Sequence, residues 1–352
     1  MLLFPVILSA ESWEWALPKG FPHPPVPADN PMTAAKVELG RYLFYDKRLS
    51  VNGKESCGSC HRQELAFTDG LAHAQGTTGQ LHPRSSMSLV NVAYAPALTW
   101  ANPTLPSLEE QALVPMLGED PVELGLKGPE WEFLDTVMHD PVYQALFPKA
   151  FPGGGQVTLQ TVAKAIAAFE RSIVSVRSPY DRYRWGGDSS AISDSAKRGE
   201  LLFSSSERAG CFQCHGGWNF SAVRFEGSDA SPRGEGLFIN TGVSDYAAPN
   251  RGLFEQTGRK EDVGKFRAPT LRNIAVTAPY MHDGSIANLE DVLAHYAAGG
   301  KTPHPNKTRI LRSFSLMPGE TQDLIEFLKS LTDEELLHDQ RWSDPWPAAK
   351  RP

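Results

Sequence analysis

Cys57-Gly58-Ser59-Cys60-His61 and Cys211-Phe212-Gln213-Cys214-His215 decide the fold, and together they hold all four cysteines of the 352-residue chain. In each, two thiols three positions apart can add to the two vinyl groups of one porphyrin, and the next residue brings an imidazole beneath the iron. The spacing predicts two covalently bound haem c groups, on Cys57 and Cys60 and on Cys211 and Cys214, with His61 and His215 as proximal iron ligands. Zinc sites and redox dithiols also use C-x-x-C. A zinc ribbon, however, brings its second pair within about 15–20 residues, and a thioredoxin-type motif sits in a βαβ pattern. Here the pairs lie in different halves of the chain, and each has its own histidine. A disulfide framework does not fit, because haem attachment uses every thiol.

A hydrophobic fraction of 41% and a net charge of −7 suit a soluble enzyme with chain enough for two cores, and argue against nucleic-acid affinity. No stretch approaches the ~18 apolar residues of a membrane span. Leu2 to Ala10 is a short apolar run without a basic flank, so residues 1–10 are read as a remnant of an export signal. Covalent haem attachment takes place outside the cytoplasm, which predicts a periplasmic protein.

An internal repeat supplies the organisation. Ala35-Lys36-Val37-Glu38-Leu39-Gly40-Arg41-Tyr42-Leu43-Phe44 precedes the first motif, and Ala196-Lys197-Arg198-Gly199-Glu200-Leu201-Leu202-Phe203 precedes the second. Each reads as a short helix with Gly and Phe four apart. Each half also closes with an amphipathic helix, marked by Val162, Ile166, Phe169 and Ile173 in one and by Leu324, Phe327, Leu328 and Leu331 in the other. The expected fold is mainly α: two cytochrome c-like haem domains, residues 11–180 and 181–352, divided within Ser178 to Ser193, where Pro179, Gly186, Gly187 and four serines break the pattern. The 28 prolines and 30 glycines imply long loops around the haems.

Sixth ligands decide what each haem does: an open position meets peroxide, and two protein ligands make an electron store. Asn288 to Gly300 reads as a helix with Leu289, Val292, Leu293 and Tyr296 on one face. Tyr296 then points to the core and the second haem, and His295, about 100° around the helix, faces elsewhere. Taken alone, Tyr296 reads as a packing residue.

Phe266-Arg267-Ala268-Pro269-Thr270-Leu271-Arg272-Asn273 and Thr277-Ala278-Pro279-Tyr280-Met281-His282-Asp283-Gly284, with the two haem motifs, resemble the bacterial di-haem cytochrome c peroxidase and MauG family over nearly the whole chain. The resemblance implies a peroxidatic haem in the first domain and a six-coordinate haem in the second. In the family's peroxidases the position of Tyr296 is methionine, and in MauG it is tyrosine. A phenolate favours ferric and higher states, where thioether favours ferrous iron. By the same resemblance Gln111, Pro115 and Glu123 lie over the open iron, with Glu123 moving a proton between the peroxide oxygens. Trp100 matches the tryptophan that couples the haems, although the family's Trp-Asp-Gly-Arg reads Trp100-Ala101-Asn102-Pro103 here. A calcium ion between the haems is implied, with Thr277 and Pro279 as carbonyl donors. Its asparagine ligand falls at Ser85, with Asn91 as a nearby substitute.

MauG's surface tryptophan, two residues before its second motif, is Ala209 here, so the exit for oxidising equivalents must differ; Trp218 is a candidate relay that reads equally as core. His73 and His82, where some peroxidases carry a removable ligand, read as solvated loop residues. Pro27-Ala28-Asp29-Asn30-Pro31-Met32, Cys60-His61-Arg62-Gln63-Glu64-Leu65-Ala66-Phe67-Thr68-Asp69-Gly70 and Leu98-Thr99-Trp100-Ala101-Asn102-Pro103 look like the MauG-type subgroup exemplified by MbnH of methanobactin clusters. That resemblance implies hydrogen peroxide as oxidant, a bis-ferryl-type store of two oxidising equivalents, and conversion of a tryptophan to kynurenine on a periplasmic copper-binding partner encoded nearby. Two alternatives stand beside it: a peroxidase that reduces peroxide with a small redox-protein donor, and a non-enzymatic di-haem electron carrier.

Overall fold

The computed structural model describes residues 13–223, 226 and 237–347; the export-signal reading of residues 1–10 lies outside them. The helices are α1 (Ala34–Tyr45), α2 (Cys57–Cys60), α3 (Leu108–Leu117), α4 (Glu130–His139), α5 (Pro141–Ala150), α6 (Leu159–Ser172), α7 (Pro179–Arg184), α8 (Asp194–Ser204), α9 (Phe254–Thr257), α10 (Leu289–Ala297), α11 (Glu320–Lys329) and α12 (Glu334–His338). One two-stranded sheet pairs β1 (Phe238–Ile239) antiparallel with β2 (Phe266–Arg267). The fold is mainly α, as the sequence predicts.

The repeated Gly and Phe are the hinge points of both cores. A Cβ on Gly40 of α1 would stand 1.9 Å from the carbonyl oxygen of Ala165 on α6 and 2.9 Å from Phe169 Cβ. A Cβ on Gly199 of α8 would stand 2.0 Å from the Asp323 carbonyl oxygen on α11 and 2.8 Å from Phe327 Cβ. Glycine thus permits backbone contact between opening and closing helix. Four residues on, Phe44 meets Phe169 at 5.0 Å between ring centroids, and Phe203 meets Phe327 at 5.1 Å. The predicted apolar faces are buried: Val162, Ile166, Phe169 and Ile173 in the first core, Leu324, Phe327, Leu328 and Leu331 in the second.

Two features bear on the expected division between residues 180 and 181. α7 straddles it, and Tyr180 is buried in the second core, 5.5 Å from Phe327. The C-terminal stretch crosses back: Leu336, Leu337, Trp342 and Trp346 join the first core. Gln63 Nε2 donates to the carbonyls of Leu336 and Asp339 at 2.8 Å each, Tyr45 Oη donates to Trp342 O at 2.7 Å, and Trp346 Nε1 donates to Tyr42 O at 3.1 Å. The outer face of α1 offers Tyr42 and Tyr45, whose half-buried rings need a cover, and the two tryptophans supply it.

α3 buries Leu108, Ala112 and Met116 in the first core and is also tied to α6 by a polar network. Glu109 accepts from Arg171 Nη2 of α6 at 3.0 Å and from Asn30 Nδ2 at 2.6 Å, while buried Lys36 donates to Asn30 Oδ1 at 2.9 Å. This network fixes the helix whose other face carries Gln111.

Candidate functional site

Each C-x-x-C-H is a tight helical turn that delivers its histidine at the end. Ser56 caps α2 with Ser59 in a capping box, and His61 follows as its C-cap. His61 Nδ1 lies 2.8 Å from the carbonyl oxygen of Phe67, and His215 Nδ1 lies 3.1 Å from those of Phe220 and Pro269. A carbonyl can only accept, so in both rings Nδ1 carries the proton and Nε2 is left as the iron-binding nitrogen. Phe67 and Phe220 reach this geometry with φ of 60° and 51°, unusual for a bulky residue, which marks the two turns as built for the histidine. No sequence pattern announced these two phenylalanines. Burial lowers both imidazole pKa values and so favours the neutral, ligating form.

Around the first motif the environment is acidic. Burial raises the Cys60 thiol to about 12, helped by the charges of Asp69, Glu123 and Glu55; Cys57 is raised likewise by burial, then by Glu170, Cys60 and Glu123. Buried oxygens of Glu55, Asp69 and Glu170 have no hydrogen-bond partner among the described residues. Burial raises the Glu170 carboxyl to about 8 and raises that of Asp69 as well.

Chain pairing brings Glu123 alongside the C-terminal end of α3. The Leu124 amide donates to Pro115 O at 2.9 Å and the Leu126 amide to Met116 O at 2.8 Å, which folds the segment carrying Glu123 back along the end of α3. Pro115 lacks an N–H, so the Gln111 carbonyl loses its helical donor inside α3. Burial raises the Glu123 carboxyl to about 7, although its side chain is 39% exposed. A group lining a recess, enclosed by protein yet reachable by water, has both properties. His82 is not the solvated loop residue the sequence suggests: it is half-buried, its Nδ1 accepts from the Arg84 amide at 3.2 Å, and its Nε2 stands 4.0 Å from Glu123 Oε1. His73 stays exposed, with Nδ1 3.0 Å from His82 O.

The second motif opens on a cavity of about 960 Å³, at the top of the ~300–1,000 Å³ range of ligand pockets. Cys211, Cys214 and His215 line it together with Tyr296, Phe203 and Trp100. Asn288 caps α10 by accepting from the Asp291 amide at 2.8 Å, which sets the rotation of Tyr296. Burial, with the Cys214 and Cys211 thiols beside it, holds the phenol above its usual range. His295 is fully buried but turned away, Nε2 lying 3.1 Å from Thr241 O. On the same wall, His282 Nε2 and Arg267 Nε are buried with no partner among the described residues, and burial lowers the Arg267 guanidinium to about 10. Unpartnered donors in an apolar cavity fit a flat ligand with an anionic edge, as haem is.

Trp100, Ser85, Thr277 and Pro279 line the same cavity. Trp100 Nε1 donates to Ser85 O at 2.9 Å, and its ring centroid is 6.5 Å from that of His282. Ser85 Oγ donates to Met281 O at 3.1 Å, and Ser85, Thr277 and Pro279 share the cavity wall. Asn91 does not offer itself as a substitute ligand. It is buried, with Nδ2 donating to Ser175 O at 3.1 Å and Asn219 Oδ1 at 2.8 Å, and Oδ1 accepting from the Ser175 amide at 2.8 Å. Among the described residues no cluster of three His, Cys, Asp or Glu side chains could hold a metal. Trp218 is half-buried between Tyr94 (4.8 Å) and Phe21 (5.2 Å).

Two histidine-terminated cysteine pairs in twin helical cores define a di-haem c-type protein. The family model for di-haem cytochrome c peroxidase matches residues 34–190. The cytochrome-c peroxidase IdrP1 of Denitromonas iodatirespirans is 40% identical, over 90% of this chain and 87% of its own. The methylamine utilization protein MauG of Methylorubrum extorquens is 33% identical, over 93% and 86%. A solved structure described as a MauG-like protein associated with microbial copper homeostasis aligns with a TM-score of 0.90 and 43% identity, covering 96% of this chain and 100% of that one. This chain belongs to the di-haem cytochrome c peroxidase and MauG family, and is a haem-dependent oxidoreductase. No helix among the described residues is long and apolar enough to cross a membrane.

Proposed function

We propose that this protein is a periplasmic MauG-type enzyme that uses hydrogen peroxide to oxidise an aromatic residue, converting tryptophan to kynurenine, on a copper-binding partner protein. The observation that carries the reading is Tyr296, a half-buried residue whose phenol lines the same cavity as His215, Cys211 and Cys214. Bound through the two cysteine pairs and His61 and His215, the haems supply redox-active iron that can accept oxidising equivalents from peroxide.

The chain's own residues do the rest. Glu123, with a carboxyl raised to about 7, can take a proton from an incoming peroxide and return it to the departing oxygen. Gln111 orients the peroxide, and Pro115 frees the adjacent helical carbonyl. Tyr296 and His215 would together hold the second iron, and a phenolate from Tyr296 would favour its oxidised states. Trp100, held by Ser85 O, would couple the two sites. A calcium ion on the Thr277 and Pro279 carbonyls and Ser85 would brace the wall that joins them. The similarity to a MauG-like protein tied to copper homeostasis supports the copper-binding partner.

The 40% identity to a cytochrome-c peroxidase favours a second reading, in which peroxide is reduced with electrons from a small redox protein. Ferric-state absorption and electron paramagnetic resonance separate the two. The proposal expects one high-spin haem and one low-spin haem with a tyrosinate signature that Tyr296→Met abolishes. Two six-coordinate haems with only nitrogen or sulfur donors would overturn it.

A further inference from the structure

A folded partner cannot enter the cavity, so its electrons must arrive through the protein, and Ala209 puts no aromatic ring two residues before the second motif. Among the described residues two tryptophans are well exposed, Trp131 at 66% and Trp185 at 43%. Trp131 on α4 has no aromatic ring neighbour among them. Trp185, directly after α7, meets Tyr180 at 5.8 Å and Phe21 at 5.0 Å.

Tyr180 leads inward. Its ring lies 5.4 Å from Phe220, whose carbonyl oxygen is 3.1 Å from His215 Nδ1. It also lies 5.5 Å from Phe327, which contacts the cavity-lining Phe203 at 5.1 Å. Tyr180 is only 6% exposed, and its hydroxyl donates to Glu200 Oε1 at 2.8 Å. A buried phenol can give up an electron only if its proton has somewhere to go, because a bare phenol radical cation in low dielectric is costly. Glu200 is that acceptor, and it is half-buried on α8, within reach of water. The other branch runs from Phe21 to Trp218, whose ring lies 5.5 Å from the Arg272 guanidinium; that cation is paired with Asp181 at 2.7 Å and also lies 5.9 Å from Phe220, so the branches are separated by the Tyr180–Glu200 proton-accepting pair and not by Arg272.

We propose that Trp185 and Tyr180, with Glu200 as proton acceptor, form the route by which electrons pass from a docked protein donor to the second haem site. The inference rests on the partner-oxidising reading above. Reduction of one hydrogen peroxide to two waters takes two electrons and two protons, and the route works once per electron. Tyr180 releases an electron towards His215 while its hydroxyl proton moves to Glu200. Trp185 then reduces the tyrosyl radical, which recovers its proton from Glu200. The partner's aromatic residue reduces the Trp185 radical cation and is itself left one electron short. The protons that complete the waters come from solvent.

The test uses holoenzyme carrying Trp185→Phe, Tyr180→Phe or Glu200→Gln, with haem content and ferric spectra confirming the fold, and Trp131→Phe as the unconnected control. Peroxide is added without any partner, and the enzyme's own oxidised residues are mapped by peptide mass spectrometry, with freeze-quench radical spectra alongside. Wild type should carry oxidation at Trp185, and Tyr180→Phe should protect it. With the copper-binding partner present, Trp185→Phe and Tyr180→Phe should slow partner oxidation by about tenfold or more, and Trp131→Phe should not. Partner oxidation at the wild-type rate in Trp185→Phe overturns the route and leaves the enzyme's function standing. An unmodified partner beside Tyr180-dependent oxidation of Trp185 supports the route and overturns the partner assignment.

Discussion

Glu123→Gln keeps the shape of the side chain and removes its ability to exchange a proton. Two effects follow from its setting. A positioned acid–base group contributes about 10²–10⁴-fold, so oxidation of the ferric enzyme by peroxide should slow by that factor. The second effect is a pH dependence with a defined sign. Burial raises the carboxyl to about 7, and it is the carboxylate that accepts the peroxide proton. Between about pH 6 and about pH 8 the carboxylate fraction of a group with a pKa of about 7 rises about tenfold, from roughly a tenth to roughly nine tenths. A surface glutamate would already be ionised throughout that window and would give a flat profile. Burial lowers the His82 pKa from its ordinary value, so the Glu123→Gln variant, which keeps His82, serves as the control for any contribution from that imidazole. Stopped-flow absorption after mixing ferric enzyme with one equivalent of peroxide reads both effects. The wild-type rate constant should climb with pH, and Glu123→Gln should be slow and flat. A flat wild-type profile, or a variant as fast as wild type with unchanged haem content, would refute the placing of Glu123 at the distal proton-transfer position.

Other expectations follow from the same structure. Gly199→Ala would drive a Cβ to within 2.0 Å of the Asp323 carbonyl, so α8 and α11 must separate. A cost of about 1–3 kcal/mol in thermal or denaturant unfolding is expected, against about 0.5 kcal/mol or less for Leu201→Ala on the 72% exposed face of the same helix. Removal of calcium by a chelator should shift the holoenzyme's ferric spectrum reversibly, and Ser85→Ala should weaken calcium rebinding; a spectrum and peroxide rate indifferent to chelation would exclude the cation.

The haem motifs and the paired Gly and Phe made the cores legible in sequence because covalent attachment and backbone contact tolerate few residue types. Tyr296 was legible for a different reason: helical periodicity with an asparagine cap fixes the direction of a side chain within about a turn. What stayed hidden depends on contacts between distant segments. Trp342 and Trp346 lie after the closing helix, and nothing local says that they return to cover α1. Phe67 and Phe220 orient the proximal histidines through backbone carbonyls, which leave no side-chain signature. His82 reads as a loop residue until the chain pairing that brings Glu123 to 4.0 Å is seen. Asn91 has the right chemistry for a cation ligand, and only its buried bonds to Ser175 and Asn219 show that it is engaged elsewhere.

The central claim is oxidation of a partner protein, and intact-mass and peptide mass spectrometry of a candidate copper-binding partner test it most directly. After mixing enzyme, partner and hydrogen peroxide, the partner should show the mass of a tryptophan-to-kynurenine conversion at one tryptophan, dependent on both haems and on Glu123. Rapid peroxide consumption with a small redox-protein donor, beside a partner of unchanged mass, would contradict it.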